Sequence, residues 1–523
     1  MDTYRDLFQG HNLSGFATPQ ATRSFFETDA ASDQNRLHRM AGKTGLTVSR
    51  IGFGTYRLRR GSREHFDALR EALLSGVNVI DTAAHYGDGQ SEFVVGRVLK
   101  ELVDAKRVER EQIVLISKLG YLQGEALREY RNGDISYSNV VEHSRTRAHC
   151  LSPDFLEAQF ERTLRRLGVE CLDVLLLSNP ELLQSPEDEQ SIAAKLEPAF
   201  AFLEELRRQG RITAYGISSN ALTRPASDSS ALSLSEDIVP IAQNMGVVEF
   251  PANLVENDFR FSRLNAGGNL SEYILSRELW SLSNRPFYAS HHDLGLVRLT
   301  RLVDPPPDDG LSQMAEFNRL LNALEEVESR VIDAFADRRF RFDERAPAPS
   351  GIIRRYQESF LTVEAFHRFL PGMVAAEFQK TTNQLLVLAR NERQHYTLEA
   401  LALRANGAIS AWEDYIAVKH HRRMELVESR LARAAPSLAD VPLAGQALLF
   451  LLGGKVPDTV LVGMRRVAYV RQLTGILAHE LPPPGELLPM ATACEDAIDE
   501  ALQASGVQGT SAETGPASFV PEV

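Results

Sequence analysis

The chain has 523 residues, 43% hydrophobic and 24% charged, which describes a folded globular protein of one large domain with an insertion, or of two to four ordinary domains. A net charge of −13 with scattered arginines excludes a surface built to neutralise nucleic-acid phosphates, but not one local site for an anionic cofactor. Cys150, Cys171 and Cys494 are too far apart for a metal motif and too few for a disulfide framework, the start MDTYRDLFQGHNLSG lacks an apolar leader, and VPLAGQALLFLLGG is too short to cross a bilayer, so a cytoplasmic protein with no membrane role is expected.

Residues 1–35 are an N-terminal extension. From Arg36, RLHRMAGKTGLTVS holds two short runs around a Gly-Lys-Thr-Gly turn, the pattern of a β-hairpin, and leads into the strand IGFGTY. SREHFDALREALLSG then spaces Phe66, Leu69 and Leu73 as a helix does, ending on Gly76, and VNVIDTA is a strand. SEFVVGRVLKELV precedes QIVLISK. In SPDFLEAQFERTLRRLG, Ser152 caps, Pro153 takes the first turn, Phe160, Leu164 and Leu167 face inward and Gly168 closes the helix before LDVLLLS. AFAFLEELRRQG and ITAYGISSN follow, then a Ser-rich loop with a further helix, VVEFPANL, LWSLSNRPF at residues 279–287 and, far downstream, DTVLVGM at 458–464.

Eight strands alternating with helices point to a closed (β/α)8 TIM barrel, its strands 1 to 7 within residues 36–287, with its chemistry at the carboxyl ends of the strands. Residues 288–440 interrupt the pattern between strand 7 and strand 8. There Leu311, Met314, Phe317, Leu321, Leu324, Val331 and Phe335 form one apolar stripe, and the text through Arg433 is helical, so an all-helical insertion is expected. Its boundaries are VDPPPDDG and AAPSLADVP. Residues 441–485 complete the barrel, and 486–523 end in a small, polar tail beyond Ala504 whose composition is that of a disordered segment.

At the strand ends stand Asp81, Tyr86 and Lys118, an acid, a phenol and an amine suited to proton donation. Lys118 beside Tyr86 should stabilise phenolate and lower the phenol's pKa, while Asp81 holds Lys118 in place. The competing reading makes Asp81 a cap, Lys118 a solvated loop residue and Tyr86 a packing residue.

GKTGLTVSRIGFGTY, VIDTAAHYGDGQSE, ISKLGY, LDVLLLSNPE, YGISSN and TVLVGMRR, in this order and each at a strand end, resemble the aldo-keto reductase superfamily over residues 36–287 and 440–477. The resemblance implies a barrel mouth that binds NADP(H), or less often NAD(H). It places Asp81, Tyr86 and Lys118 on three of four catalytic positions, with Tyr86 as general acid for a carbonyl oxygen. The fourth, a histidine that orients the carbonyl, falls on Ser178, whose hydroxyl is smaller and carries no positive charge. His85, His143, His149, His291 and His292 lie in segments able to approach the mouth.

The same resemblance implies cofactor contacts from Gly54, Thr55 and Tyr56, from Asp81, from Ser218, Ser219 and Asn220, and from Glu249, which stands where glutamine is usual. Asn284 takes the place of a stacking aromatic. Gly463, Arg465 and Gln472 fall where the adenosine 2′-phosphate and adenine are held, and a guanidinium suits a phosphate, which favours NADP with NAD as the alternative. Arg465 and Arg466 could equally be solvated loop residues.

In the insertion, Glu392 and His395 have the i, i+3 spacing of a di-iron helix, but one such pair is not the two that a centre needs, so a solvated face is expected and no metal. The sequence therefore reads as an NAD(P)H-dependent oxidoreductase of small-molecule carbonyls or alcohols. Its alternative is a barrel of slow turnover that binds NADPH and serves as a sensor or assembly subunit, its insertion covering the site or mediating protein association.

Overall fold

The structure is a computed structural model and describes residues 12–27, 38–184, 190–225, 227–228, 230–291, 295–302, 304–360 and 362–504. The tail beyond Ala504 and His292 lie outside the described residues. The described residues divide into two compact units, one within Met1–Pro286 and Ala447–Leu487, the other within Phe287–Gln446 and the described residues that follow Leu487.

The first unit is a closed barrel of eight strands, all parallel, adjacent in chain order: β1 (Ile51–Gly54), β2 (Val79–Asp81), β3 (Val114–Leu119), β4 (Leu172–Ser178), β5 (Ile212–Ser218), β6 (Val247–Pro251), β7 (Trp280–Asn284) and β8 (Thr459–Val462). Helices Arg63–Leu74, Gln90–Asp104, Pro153–Leu167 and Ile192–Arg208 connect the early strands, as a parallel sheet requires. β4 is buried at all seven positions, which explains why its sequence does not alternate between apolar and polar.

Two expected helical details differ. Ser152 occupies the N-cap position of Pro153–Leu167 in extended conformation, but its hydroxyl makes no cap bond and lies 3.2 Å from Cys150 Sγ instead. Between β5 and β6 the expected helix is reduced to the short turns Ala221–Thr223 and Leu234–Ile238, the second capped by Ser233 Oγ, which accepts from Glu236 N, and by Asn265 Oδ1, which accepts from Leu234 N.

The amino-terminal end of the barrel is closed by the antiparallel hairpin His38–Met40 and Thr47–Ser49. Ala41, Leu46 and Val48 join Val79, Val114, Ile116, Val174, Leu176 and Trp280 in one core. Below β4, Asp173 accepts from Ala17 N at 2.5 Å, Leu115 N at 2.7 Å and Arg110 Nη2 at 2.9 Å, so one buried carboxylate fastens the extension and two strands. Chemistry is thereby confined to the opposite, carboxyl end.

The second unit opens with the hairpin Tyr288–His291 and Gly295–Arg298, and continues with helices Leu311–Ala334, Pro349–Tyr356, Val363–Phe369, Ala376–Leu388 and Glu392–Ala434. Strands therefore precede the helices in a region read as all helical. The apolar stripe of the first helix is buried from Phe317 onward, against Trp412 and Ile416 among others, whereas Leu311 and Met314 are exposed. Glu392 and His395 are exposed on the last helix. Among the described residues no helix is long and apolar enough to cross a membrane, and no cluster of His, Cys, Asp or Glu could hold a metal.

Candidate active site

Strand register carries the candidate residues to one end of the barrel. Gly54 pairs with Asp81, Asp81 with Ile116, Lys118 with Leu176, Ser178 with Ser218, Ser218 with Glu249, and Pro251 with Asn284. Asp81, Lys118, Ser178, Ser218, Glu249 and Asn284 thus ring the carboxyl end. Tyr86 reaches the ring from the loop after β2, its aromatic ring held edge-on by Tyr56 at 5.1 Å and by His85 at 4.7 Å between centroids.

Lys118 is the hub. Its ammonium donates to Asp81 Oδ1, lies 3.4 Å from Tyr86 Oη and stands 3.2 Å from Glu249 Oε2. Burial alone would depress the ammonium, but two carboxylates outweigh it and raise the pKa, so Lys118 stays charged. Burial pushes the Asp81 carboxyl up to about 7, with Lys118 opposing and Glu249 adding to the rise.

The phenol behaves otherwise than its lysine neighbour suggests. Burial raises the Tyr86 pKa, Lys118 opposes this, and Asp81 and Glu249 add to the rise. The expected lowering is therefore overturned: the ammonium is already matched by two acids, and the desolvated phenolate is left with little net stabilisation. Burial thus favours the protonated phenol of Tyr86.

Ser178 sits at the end of β4, buried, and its carbonyl accepts a 2.7 Å hydrogen bond from His149 Nε2. His149 is fully buried, and burial lowers its pKa to about 3, so the ring is neutral and spends its proton on that carbonyl. It is brought there by an antiparallel sheet, Tyr121–Gln123, Arg147–His149 and Val141–Ser144, in a loop where the sequence shows only scattered short runs. His143 lies 6.5 Å from His149 between ring centroids. His85, whose pKa burial likewise lowers to about 3, is the histidine against the Tyr86 ring. For His291 only the backbone is described, within the hairpin of the second unit.

Around this centre, Thr55 N donates to Asp81 O at 3.0 Å, and the Thr55 hydroxyl is buried with no hydrogen-bond partner among the described residues. Ser219 Oγ donates to Glu181 Oε2 at 2.7 Å, and Asn220 N donates to Glu181 Oε1 at 3.2 Å. Glu181 thus holds the turn after β5; in the sequence it is visible only as the acid of SNPE. Asn284 Nδ2 donates to Glu249 Oε1 at 2.8 Å, which leaves Asn284 Oδ1 buried and unpartnered among the described residues. After β8, Gly463 has open space where a side chain would project, and Arg465, exposed, immediately precedes the N-cap Arg466 of helix Val467–Ile476, which carries Gln472.

A bound nicotinamide coenzyme is compatible with these residues. The orphaned acceptor of Asn284 and the unpartnered Thr55 hydroxyl are polar atoms buried without protein partners, as expected where a polar ligand completes the bonding. The uncovered Gly463 and the exposed guanidinium of Arg465 suit the phosphate-bearing end.

Residues 50–248 match the model of the aldo/keto reductase family. Among curated proteins, the chain is 30% identical over 186 residues to an NADH-specific methylglyoxal reductase of Escherichia coli, covering 34% of this chain and 49% of that protein. It is 27% identical over 221 residues to a D-threo-aldose 1-dehydrogenase of Pseudomonas sp, covering 40% and 62%. The chain spans about half the length of the first of these curated relatives. Among solved structures, the holo form of an aldo-keto reductase from Bacillus halodurans aligns at 16% identity with a TM-score of 0.47, over 87% of this chain and 95% of that one.

Proposed function

We propose, from the premise that the chain carries an aldo/keto reductase domain, that it interconverts a small-molecule carbonyl and the corresponding alcohol with NADP(H), or alternatively NAD(H), as hydride carrier. The observation that carries this reading is the contact of Tyr86 Oη with Lys118 Nζ at 3.4 Å, with the phenol kept protonated by burial. The names of the relatives, a reductase of methylglyoxal and a dehydrogenase of aldoses, agree with carbonyl and alcohol chemistry.

Bound nicotinamide would supply or accept the hydride. Tyr86 gives its proton to the carbonyl oxygen as charge develops there, because an alkoxide is a stronger base than even a desolvated phenolate. Lys118 steadies the resulting phenolate, and Asp81 fixes the ammonium. Ser178 contributes at most one hydroxyl hydrogen bond to the substrate oxygen and supplies no charge. Ser219 is committed to Glu181, so its part is to set the turn, while the side chain of Asn220 and the orphaned Oδ1 of Asn284 serve the carboxamide of the ring. Arg465 addresses the 2′-phosphate and Gln472 the adenine.

Cofactor titration tests the reading. Arg465→Ala should weaken NADPH about tenfold or more, the scale of one charge-assisted pair, while leaving NADH within about twofold. Equal losses for both would remove Arg465 from 2′-phosphate recognition, and no binding of either would remove the nicotinamide reading itself.

A further inference from the structure

The lysine of this site is flanked by two acids from opposite sides. Asp81 from β2 and Glu249 from β6 both face the ammonium of Lys118, and the side chains keep only 4%, 1% and 2% of their surface, respectively. With all three ionised, one net negative charge would lie in the barrel mouth without water.

Among the described residues, no other charged group offsets it. The loop after β2 presents Tyr86, a protonated phenol, and His85, neutral because burial lowers its pKa. The ends of β4, β5 and β7 present only Ser178, Ser218 and Asn284. Behind His85 stand His149, also neutral, and Arg147, whose guanidinium lies 5.8 Å from the Tyr121 ring and bears on the histidines. Among the described residues, Lys118 is the one cation in contact with the two acids. Glu249 Oε2 has the ammonium at ion-pair distance but no partner in hydrogen-bond geometry among the described residues. A buried acid pair with a single counter-charge retains a proton, since two like charges close together cannot both ionise.

We propose that Asp81, facing Lys118 and Glu249, keeps one proton near neutral pH, and that the site releases this proton on binding oxidised, positively charged nicotinamide but keeps it on binding the neutral, reduced form. The second half rests on the function proposed above. For hydride to reach a carbonyl whose oxygen meets Tyr86, the ring must lie beside Tyr86 and Lys118, so its charge acts on the acid pair through a medium of low polarity. The protons then balance over a reduction. Tyr86 gives one to the substrate oxygen, Lys118 returns one to the phenolate, and the acid pair restores the ammonium, so the centre ends with one proton fewer and opposite a positive ring. The direction of the Asp81 shift agrees.

The test uses the full chain, Glu249→Gln and Asp81→Asn, each variant removing one of the two acids; two variants guard against one failing to fold. Without cofactor, the parent in its folded state holds one more proton than the unfolded chain between the ordinary carboxylate range and about pH 7, so its stability falls as pH rises there. Its thermal midpoint should therefore drop relative to either variant by about 2–4 °C per pH unit across that interval. Parallel midpoint curves would overturn the retained proton. With cofactor, the preference of the parent for NADP+ over NADPH should grow up to about tenfold per pH unit, while the variants hold a constant ratio; the 2′-phosphate is common to both ligands and cancels. A ratio in the parent that ignores pH would overturn the proton release. Failure of either ligand to bind, with the midpoint difference still present, would overturn the nicotinamide reading and the release with it, and leave the retained proton standing.

Discussion

Tyr86 lies 3.4 Å from an ammonium that would ordinarily make a phenol more acidic, yet burial and two neighbouring carboxylates raise its pKa. A phenol in that state loses its proton only to a strong base created beside it, which is what a hydride-bearing carbonyl becomes. Tyr86→Phe should therefore abolish aldehyde reduction while leaving the NADPH dissociation constant within about twofold, measured by turnover and fluorescence titration on the same samples. Full activity in that variant would mean the proton comes from elsewhere. At Ser178 the sequence foretold a missing imidazole, and the structure shows that His149 does not supply it, because the ring is fully buried and bonded to the Ser178 carbonyl. Ser178→His should raise turnover of a simple aldehyde by about tenfold or more if carbonyl orientation limits the parent, since positioning alone changes rates by orders of magnitude. An unchanged rate would show that orientation does not limit it.

Among elements, the strands of the barrel were legible and the loop sheet was not. The run VLLL of β4 is apolar without interruption and ends in Ser178, a local pattern that burial on both faces explains, and ITAYGIS, buried from Tyr215 onward, likewise ends in a serine. Val141–Ser144 and Arg147–His149 are short, polar and bulged, and become strands because they pair with Tyr121–Gln123 across the loop. Non-local pairing of that kind leaves no periodic trace. Close approach between elements is equally silent in sequence until the backbone is seen. A Cβ on Gly216 of β5 would lie 1.7 Å from the carbonyl oxygen of Val247 in β6, an impossible contact, so Gly216→Ala must push the two strands apart. It should cost about 3 kcal/mol or more, read as a lower denaturation midpoint; a loss below about 1 kcal/mol would mean the pairing yields easily.

At the scale of the whole barrel, one end is a lock and the other a site. Asp173 and Arg110 are buried together at the closed end, with Asp173 also receiving two backbone N–H groups. Asp173→Ala strands the guanidinium and frees both amides, and should destabilise the first unit by about 3–5 kcal/mol in denaturant unfolding. A cost under about 1 kcal/mol would show that water or another acid replaces the carboxylate. By itself the sequence determined the order of the eight barrel strands, the carboxyl-end placement of Asp81, Tyr86, Lys118 and Ser178, and the helical character of residues 311–433, because periodicity and punctuation are local properties of the chain. Only the tertiary structure decided what those residues do to one another. Glu249, some 130 residues from Lys118, becomes its second counter-ion; Glu181 becomes the support of Ser219; and Tyr86 becomes less acidic rather than more. Charge, burial and hydrogen bonding are set by neighbours in space, and barrel closure is what makes these residues neighbours.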